Sequence, residues 1–190
     1  MKPGSHPMAL RYAGVALLFG TSGACSVYLG ALFSVPFALL CALLFLRQWR
    51  AIVTVPLMVV VMFVAAAAED IVASVGDDGV SPFCVAGAIA GFGLVLCVAI
   101  CRRSLFSQRY TFRGAVVGCI SALAFVPCCK HVRGFVFGSL DVREPAFLPL
   151  AFAIWQAAMG TYLYKSVRDS NYEAATADSA EPSSVRLNQM

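Results

Sequence analysis

Charge is scarce in this chain. Lys, Arg, Asp and Glu together make up 13% of the 190 residues, where a soluble domain carries about 25%. Hydrophobic residues make up 60%, and the mean hydropathy is +0.81. A soluble fold of this length has no core large enough for so much apolar surface. A disordered chain needs the opposite balance, low hydrophobicity and high charge. Both classes are excluded, and a polytopic integral membrane protein remains.

Histidine is almost missing. The two present are His6 and His131. His6 falls in the loose N-terminal start and His131 on the opposite, outer side, which argues against bis-histidine haem ligation, and an H-E-x-x-H zinc site is absent. The chain has no P-loop, no G-x-G-x-x-G, no G-x-S-x-G and no C-x-x-C. Those patterns hold phosphates, dinucleotides, nucleophiles and redox or zinc pairs. No cofactor and no enzymatic reaction is indicated. The formal charge of +4 reads as a topology signal rather than a nucleic-acid signal.

Long runs without Asp, Glu, Lys or Arg are abundant. They cover 12–46, 51–68, 79–101, 114–129 and 145–164. One crossing takes about 20 residues. The first run holds 35 residues, roughly 52 Å of helix, which is too long for one tilted span. A hairpin with its turn near Gly30 to Pro36 resolves this, because Ser34 and Pro36 suit a helix start. Six spans follow, at 10–29, 33–48, 51–71, 81–101, 114–130 and 146–164.

Lys and Arg set the orientation. With the N-terminus inside, the inner segments carry eleven of the fourteen. They include Lys2, Arg11, Arg47, Arg50, Arg102, Arg103, Arg109, Arg113, Lys165, Arg168 and Arg186. The outer segments carry Lys130, Arg133 and Arg143, with Asp77, Asp78, Asp141 and Glu144. Both termini are expected inside, in a plasma (inner) membrane. Tyr12, Trp49, Tyr162 and Tyr164 fall at the inner boundary, where amphipathic rings collect. The basic loop 102–113 is also suited to anionic headgroups. Ser22 to Cys25 loosely follows a cleavage site, but more apolar sequence comes directly after it, so an uncleaved first span is expected.

Residues 1–9 read as a flexible start and 166–190 as a disordered cytoplasmic tail, polar and rich in Ser, Ala and acidic residues. Gly76 to Gly79 reads as a tight turn. Ser81-Pro82 and Glu144-Pro145 read as helix starts. A three-plus-three inverted repeat is disfavoured, since Pro36 opens span two and Pro127 closes span five.

Small residues recur every four positions: Gly87 and Gly91; Gly114, Gly118 and Ala122; Ala153, Ala157 and Thr161. Such stripes let helix backbones approach closely. They suit packing within the bundle or a homo-oligomer or membrane-protein partner. The lipid bilayer is the other partner, and no nucleic acid is expected.

Two groups of side chains are candidates for chemistry. Glu69 and Asp70 lie about 28–30 Å up span three from Arg50, where they end the span or line an ion or proton site with Gln156. Eight cysteines form the second group. Counting rise from the nearest inner charge places Cys25, Cys84, Cys128 and Cys129 toward the outer face. The same count places Cys41, Cys97, Cys101 and Cys119 toward the inner face. Lys130 and His131 would favour thiolate at Cys128 and Cys129, making these two and His131 a weak metal or redox candidate. Packing is the competing role, since cysteine is a small, readily buried residue.

Three functions fit. The first is a non-enzymatic accessory, sensory or partner-binding membrane subunit. The second is a small-solute or ion transporter using Glu69 and Asp70. The third is an outer-face thiol-disulfide or soft-metal protein using Cys128 and Cys129.

Overall fold

The computed structural model describes residues 6–32, 34–45, 49–75, 80–102, 108–124 and 147–180. Among them are six α-helices and no strand. They are α1 (His6–Ser26), α2 (Val35–Phe45), α3 (Trp49–Ser74), α4 (Ser81–Arg102), α5 (Gln108–Ala122) and α6 (Phe147–Ala180). A 3-10 helix, Val27–Leu32, follows α1 directly.

The long first apolar run breaks into two helices. The tighter 3-10 winding ends α1, and α2 restarts where the Ser34 carbonyl accepts from the Ala38 amide at 3.1 Å. Pro36 sits in the first turn of α2, where a missing N–H costs nothing. At α4 the Val80 carbonyl accepts from the Cys84 amide at 3.2 Å. The helix therefore begins at Ser81, with Val80 rather than Ser81 in the capping position.

Neighbours in sequence are neighbours in space. Each helix from α1 to α5 packs on the next, α5 packs on α6, and α6 closes back on α1. The result is a closed cycle of six packed helices, with α2 also touching α6. Close approach is set by glycine. A Cβ on Gly87 would strike the Gly118 carbonyl, and one on Gly91 would strike that of Gly114. These contacts run antiparallel along α4 and α5. On the other side Gly20 and Gly23 of α1 lie against Ala153, Ala157 and Phe152 of α6. Gly160 leaves room for the Phe19 ring.

The centre is aromatic. Phe19 lies 5.1 Å from Phe37 and 6.2 Å from Phe45, ring centre to ring centre. Phe37 lies 5.8 Å from Trp155. Met58, Leu94, Val98, Met159 and Leu163 are buried beside them. The outward face is apolar too: Leu17 is 74% exposed and Leu43 77%. Such a surface suits lipid as its solvent. Three helical segments are long and apolar enough to cross a membrane, Met8–Leu29, Val53–Ser74 and Ser81–Arg102, and Val35–Phe45 is a shorter apolar helix.

Three expectations change. Residues 6–9 are helical, because α1 starts at His6. The last helix does not stop near Lys165 but continues to Ala180, so 166–180 is helix rather than disordered tail. The reason is local: this segment is rich in alanine, a strong helix former, and its inward residues Ser166 and Val167 are buried. Finally, α5 starts at Gln108, six residues before the expected boundary at 114.

Candidate functional site

Two polar side chains meet inside the bundle, while the buried Thr54 and Ser166 each donate to the carbonyl one turn back on their own helix. Gln156 and Ser26 are completely buried. The Gln156 Nε2 donates to Ser26 Oγ at 3.1 Å, and Ser26 Oγ donates to the Ser22 carbonyl at 2.8 Å. This ties α6 to the end of α1. The Gln156 Oε1 and the hydroxyls of Ser22 and Ser34 are buried without hydrogen-bond partners. The amide is thus half satisfied, beside Trp155 and the aromatic centre.

Glu69 and Asp70 lie elsewhere. They stand on the last two turns of α3, with Glu69 half-buried and Asp70 exposed. Helix α3 packs on α2 and α4, whereas α6 packs on α1, α5 and α2. Gln156 and the two carboxylates therefore occupy helices without an extensive shared interface.

The cysteines regroup. The Cys84 thiol is hydrogen-bonded with that of Cys119 across the α4–α5 seam. Cys84 was expected with the outer set and Cys119 with the inner set, yet they share one level. Cys25 is exposed on α1, and α1 and α4 share no extensive interface. Cys25 and Cys84 are thus held on separate parts of the bundle. Cys41 and Cys97 are buried. Cys128, Cys129 and His131 lie outside the described residues, as do Pro127, the Gly76–Gly79 turn and the Glu144-Pro145 start. Among the described residues no group of three or more His, Cys, Asp and Glu is placed to hold a metal ion.

A second polar region gathers at the end of the bundle that holds Met8, Phe45, Arg102 and Tyr110. The Arg102 guanidinium donates to the Phe45 carbonyl at 3.1 Å and to Asn171 Oδ1 at 2.6 Å. The Tyr110 hydroxyl donates to Glu173 at 2.9 Å, and the Tyr162 hydroxyl donates to the Tyr110 carbonyl at 2.6 Å. Arg168 lies 5.5 Å from the centre of the Tyr12 ring and 3.8 Å from Asp169. Tyr12 meets Tyr164 edge to face at 5.6 Å. Burial and then the hydrogen bond to Glu173 raise the Tyr110 phenol above its ordinary value.

Sequence reasoning missed this region because Asn171 and Glu173 were assigned to a disordered tail. The available signal was the alanine-rich stretch from Glu173 to Ala180. No family model, curated protein or solved structure matches the chain. The described residues are helical, and three of their segments are compatible with a membrane.

Proposed function

We propose that the chain is a six-span integral protein of the plasma membrane with both termini inside, and that it acts as a non-enzymatic accessory or partner-binding subunit. What supports this reading is where the interior polar groups go. Gln156 is spent on Ser26, Cys84 meets Cys119, and Glu69 and Asp70 stand apart on α3. The middle of the bundle is filled by Phe19, Phe37, Phe45 and Trp155. Interior chemistry thus serves packing, and function falls to the surfaces that face lipid and partners.

Orientation has its own support. The positive-inside rule assigns residues near Met8, Arg102, Tyr110 and Arg168 to one side. Their side-chain contacts gather them at one end.

The experiment is affinity purification of the full chain from its own membranes after mild crosslinking, beside uptake assays on Glu69→Gln and Asp70→Asn. One stoichiometric partner, with both variants inserting and behaving as wild type, is the expected result. Loss of uptake or of a proton-coupled response in either variant, with insertion intact, would overturn it in favour of transport. That second reading draws on one observation, the half-buried Glu69 beside Asp70.

A further inference from the structure

The end of the bundle that holds Met8 and Arg102 also contains an open groove. It lies between α5 and α6 and encloses about 1260 Å³. That exceeds the usual ~300–1,000 Å³ of a small-molecule site. Its rim is cationic, with Arg109 and Arg113 from α5 and Lys165 and Arg168 from α6. Its apolar lining on α5 is Phe112, Val116 and Val117, with Phe112 and Val116 exposed.

The carboxylates in the groove are already engaged. Asp169 lies beside Arg168 at 3.8 Å, and Glu173 accepts from Tyr110 at 2.9 Å. Arg168 is further held by Met8 and the Tyr12 ring. Three exposed cations remain, Arg109, Arg113 and Lys165, and none is ion-paired with a described carboxylate. Arg109 and Arg113 are four residues apart on α5, hence on one helix face. Phe112 is 70% exposed beside them, and Val116 lies one turn further along.

A cationic rim beside an apolar lining, running from the Met8 and Glu173 end of the bundle up to the level of mid-α4, matches an amphiphile with a negative head. A basic pocket between helices on the cytoplasmic side is a known form of headgroup site. Three uncompensated cations match a headgroup with more than one negative charge better than a zwitterion.

We propose that this groove binds a polyanionic phospholipid, with Arg109, Arg113 and Lys165 holding the headgroup phosphates and Phe112, Val116 and Val117 taking the start of an acyl chain. The inference rests on the membrane reading above. It does not depend on orientation when both faces are offered to the ligand.

The test uses the full chain in phosphatidylcholine nanodiscs, which expose both faces. Bound lipid is read by native mass spectrometry after adding phosphatidylinositol 4,5-bisphosphate, phosphatidylserine or soluble inositol trisphosphate. One bisphosphate lipid per chain is expected, in preference to phosphatidylserine, with no retention of the soluble headgroup. Arg113→Gln should weaken it about fivefold, the weight of one cation at a membrane surface. Arg11→Gln removes the same charge from outside the groove and should leave binding unchanged.

Equal weakening by both variants, equal binding of phosphatidylserine, or capture of the soluble headgroup alone would each overturn the proposal. Wild-type protein that inserts yet retains no added lipid would overturn it too. Protein that stays in solution without detergent or lipid would instead overturn the membrane reading itself, and the groove proposal with it.

Discussion

Tyr110 and Glu173 join two helices well beyond the apolar part of the bundle. The phenol hydroxyl donates to the carboxylate at 2.9 Å, and the same tyrosine's carbonyl accepts from Tyr162 at 2.6 Å. The last helix is thereby clamped to the start of α5 at Tyr162 and again at Glu173, about two turns past Lys165. Tyr110→Phe removes the donor while keeping the ring. The expected outcome is faster amide exchange across 168–180, by several fold, with exchange in α4 unchanged. Equal protection in the variant would show that the helix stands on its own propensity.

The same pair predicts a pH response. Burial and the bond to Glu173 raise the Tyr110 phenol, so the folded state favours the neutral, donating form. A group raised in this way contributes fully below its free value, about 10 for tyrosine. The contribution is lost as pH rises through the higher folded value. Protection of 168–180, corrected for intrinsic exchange, should therefore hold flat from pH 7 to 9 and decline only above about 10. In Tyr110→Phe no such decline should appear, and a decline of equal size in both would remove the phenol as its cause.

Cys84 and Cys119 give a direct check on helix register. Their thiols are in contact across α4 and α5. In a variant that retains only these two cysteines, iodine should take their two electrons and close an intramolecular disulfide, seen as a mass loss of two hydrogens. A variant that retains only Cys25 and Cys84 should not close within the chain under the same treatment. Closure of the second pair and not the first would overturn the packing of α4 on α5.

The cysteine levels show which part of the architecture was legible in sequence. Apolar run length separated α1 from α2, and the glycine stripes named the residues that meet, Gly87 and Gly91 with Gly118 and Gly114. Depth was not legible, because it was counted from Arg103 on one helix and Arg113 on the next as though both marked one plane. Gly91 packs on Gly114, so Arg113 lies beside the middle of α4, and Arg102 is about 16 Å further along. Arg102 reaches Asn171 instead. Charge content signals that a boundary is near, but packing decides at what height each helix meets it. The helical extension past Lys165 was hidden for a similar reason. Its polar composition resembles that of a solvated tail, and its anchors, Arg102 and Tyr110, lie 69 and 63 residues away from their partners in sequence.

The glycine seam predicts a sharp contrast among glycines. Gly91 has no space for a side chain, because its Cβ position falls on the Gly114 backbone, whereas Gly14 has open space around it. Backbone cannot step aside as a flexible side chain can. Gly91→Leu should therefore destabilise by about 1–3 kcal/mol or more, read as a lower midpoint in detergent unfolding. Gly14→Ala should be neutral or slightly stabilising, since alanine is the better helix former. Similar midpoints for the two variants would mean that α4 and α5 do not approach through these residues.

Gln156 and Ser26 predict an asymmetry that a simple count of hydrogen bonds would miss. Gln156→Leu deletes one bond, worth about 0.6 kcal/mol between membrane helices. It also deletes the Oε1 acceptor that is buried without a partner. Ser26 keeps its bond to the Ser22 carbonyl, so nothing buried is newly orphaned. The net change should be close to zero. Ser26→Ala deletes the same bond but leaves the whole amide of Gln156, donor and acceptor, unpaired beside Trp155. An unsatisfied buried polar group costs about 1–3 kcal/mol, so the smaller truncation should be the more damaging one. Thermal or denaturant midpoints of the two variants in one detergent decide it. If Gln156→Leu proves the worse of the two, the amide has a second partner, and the interior of the bundle is wetter than its aromatic lining implies.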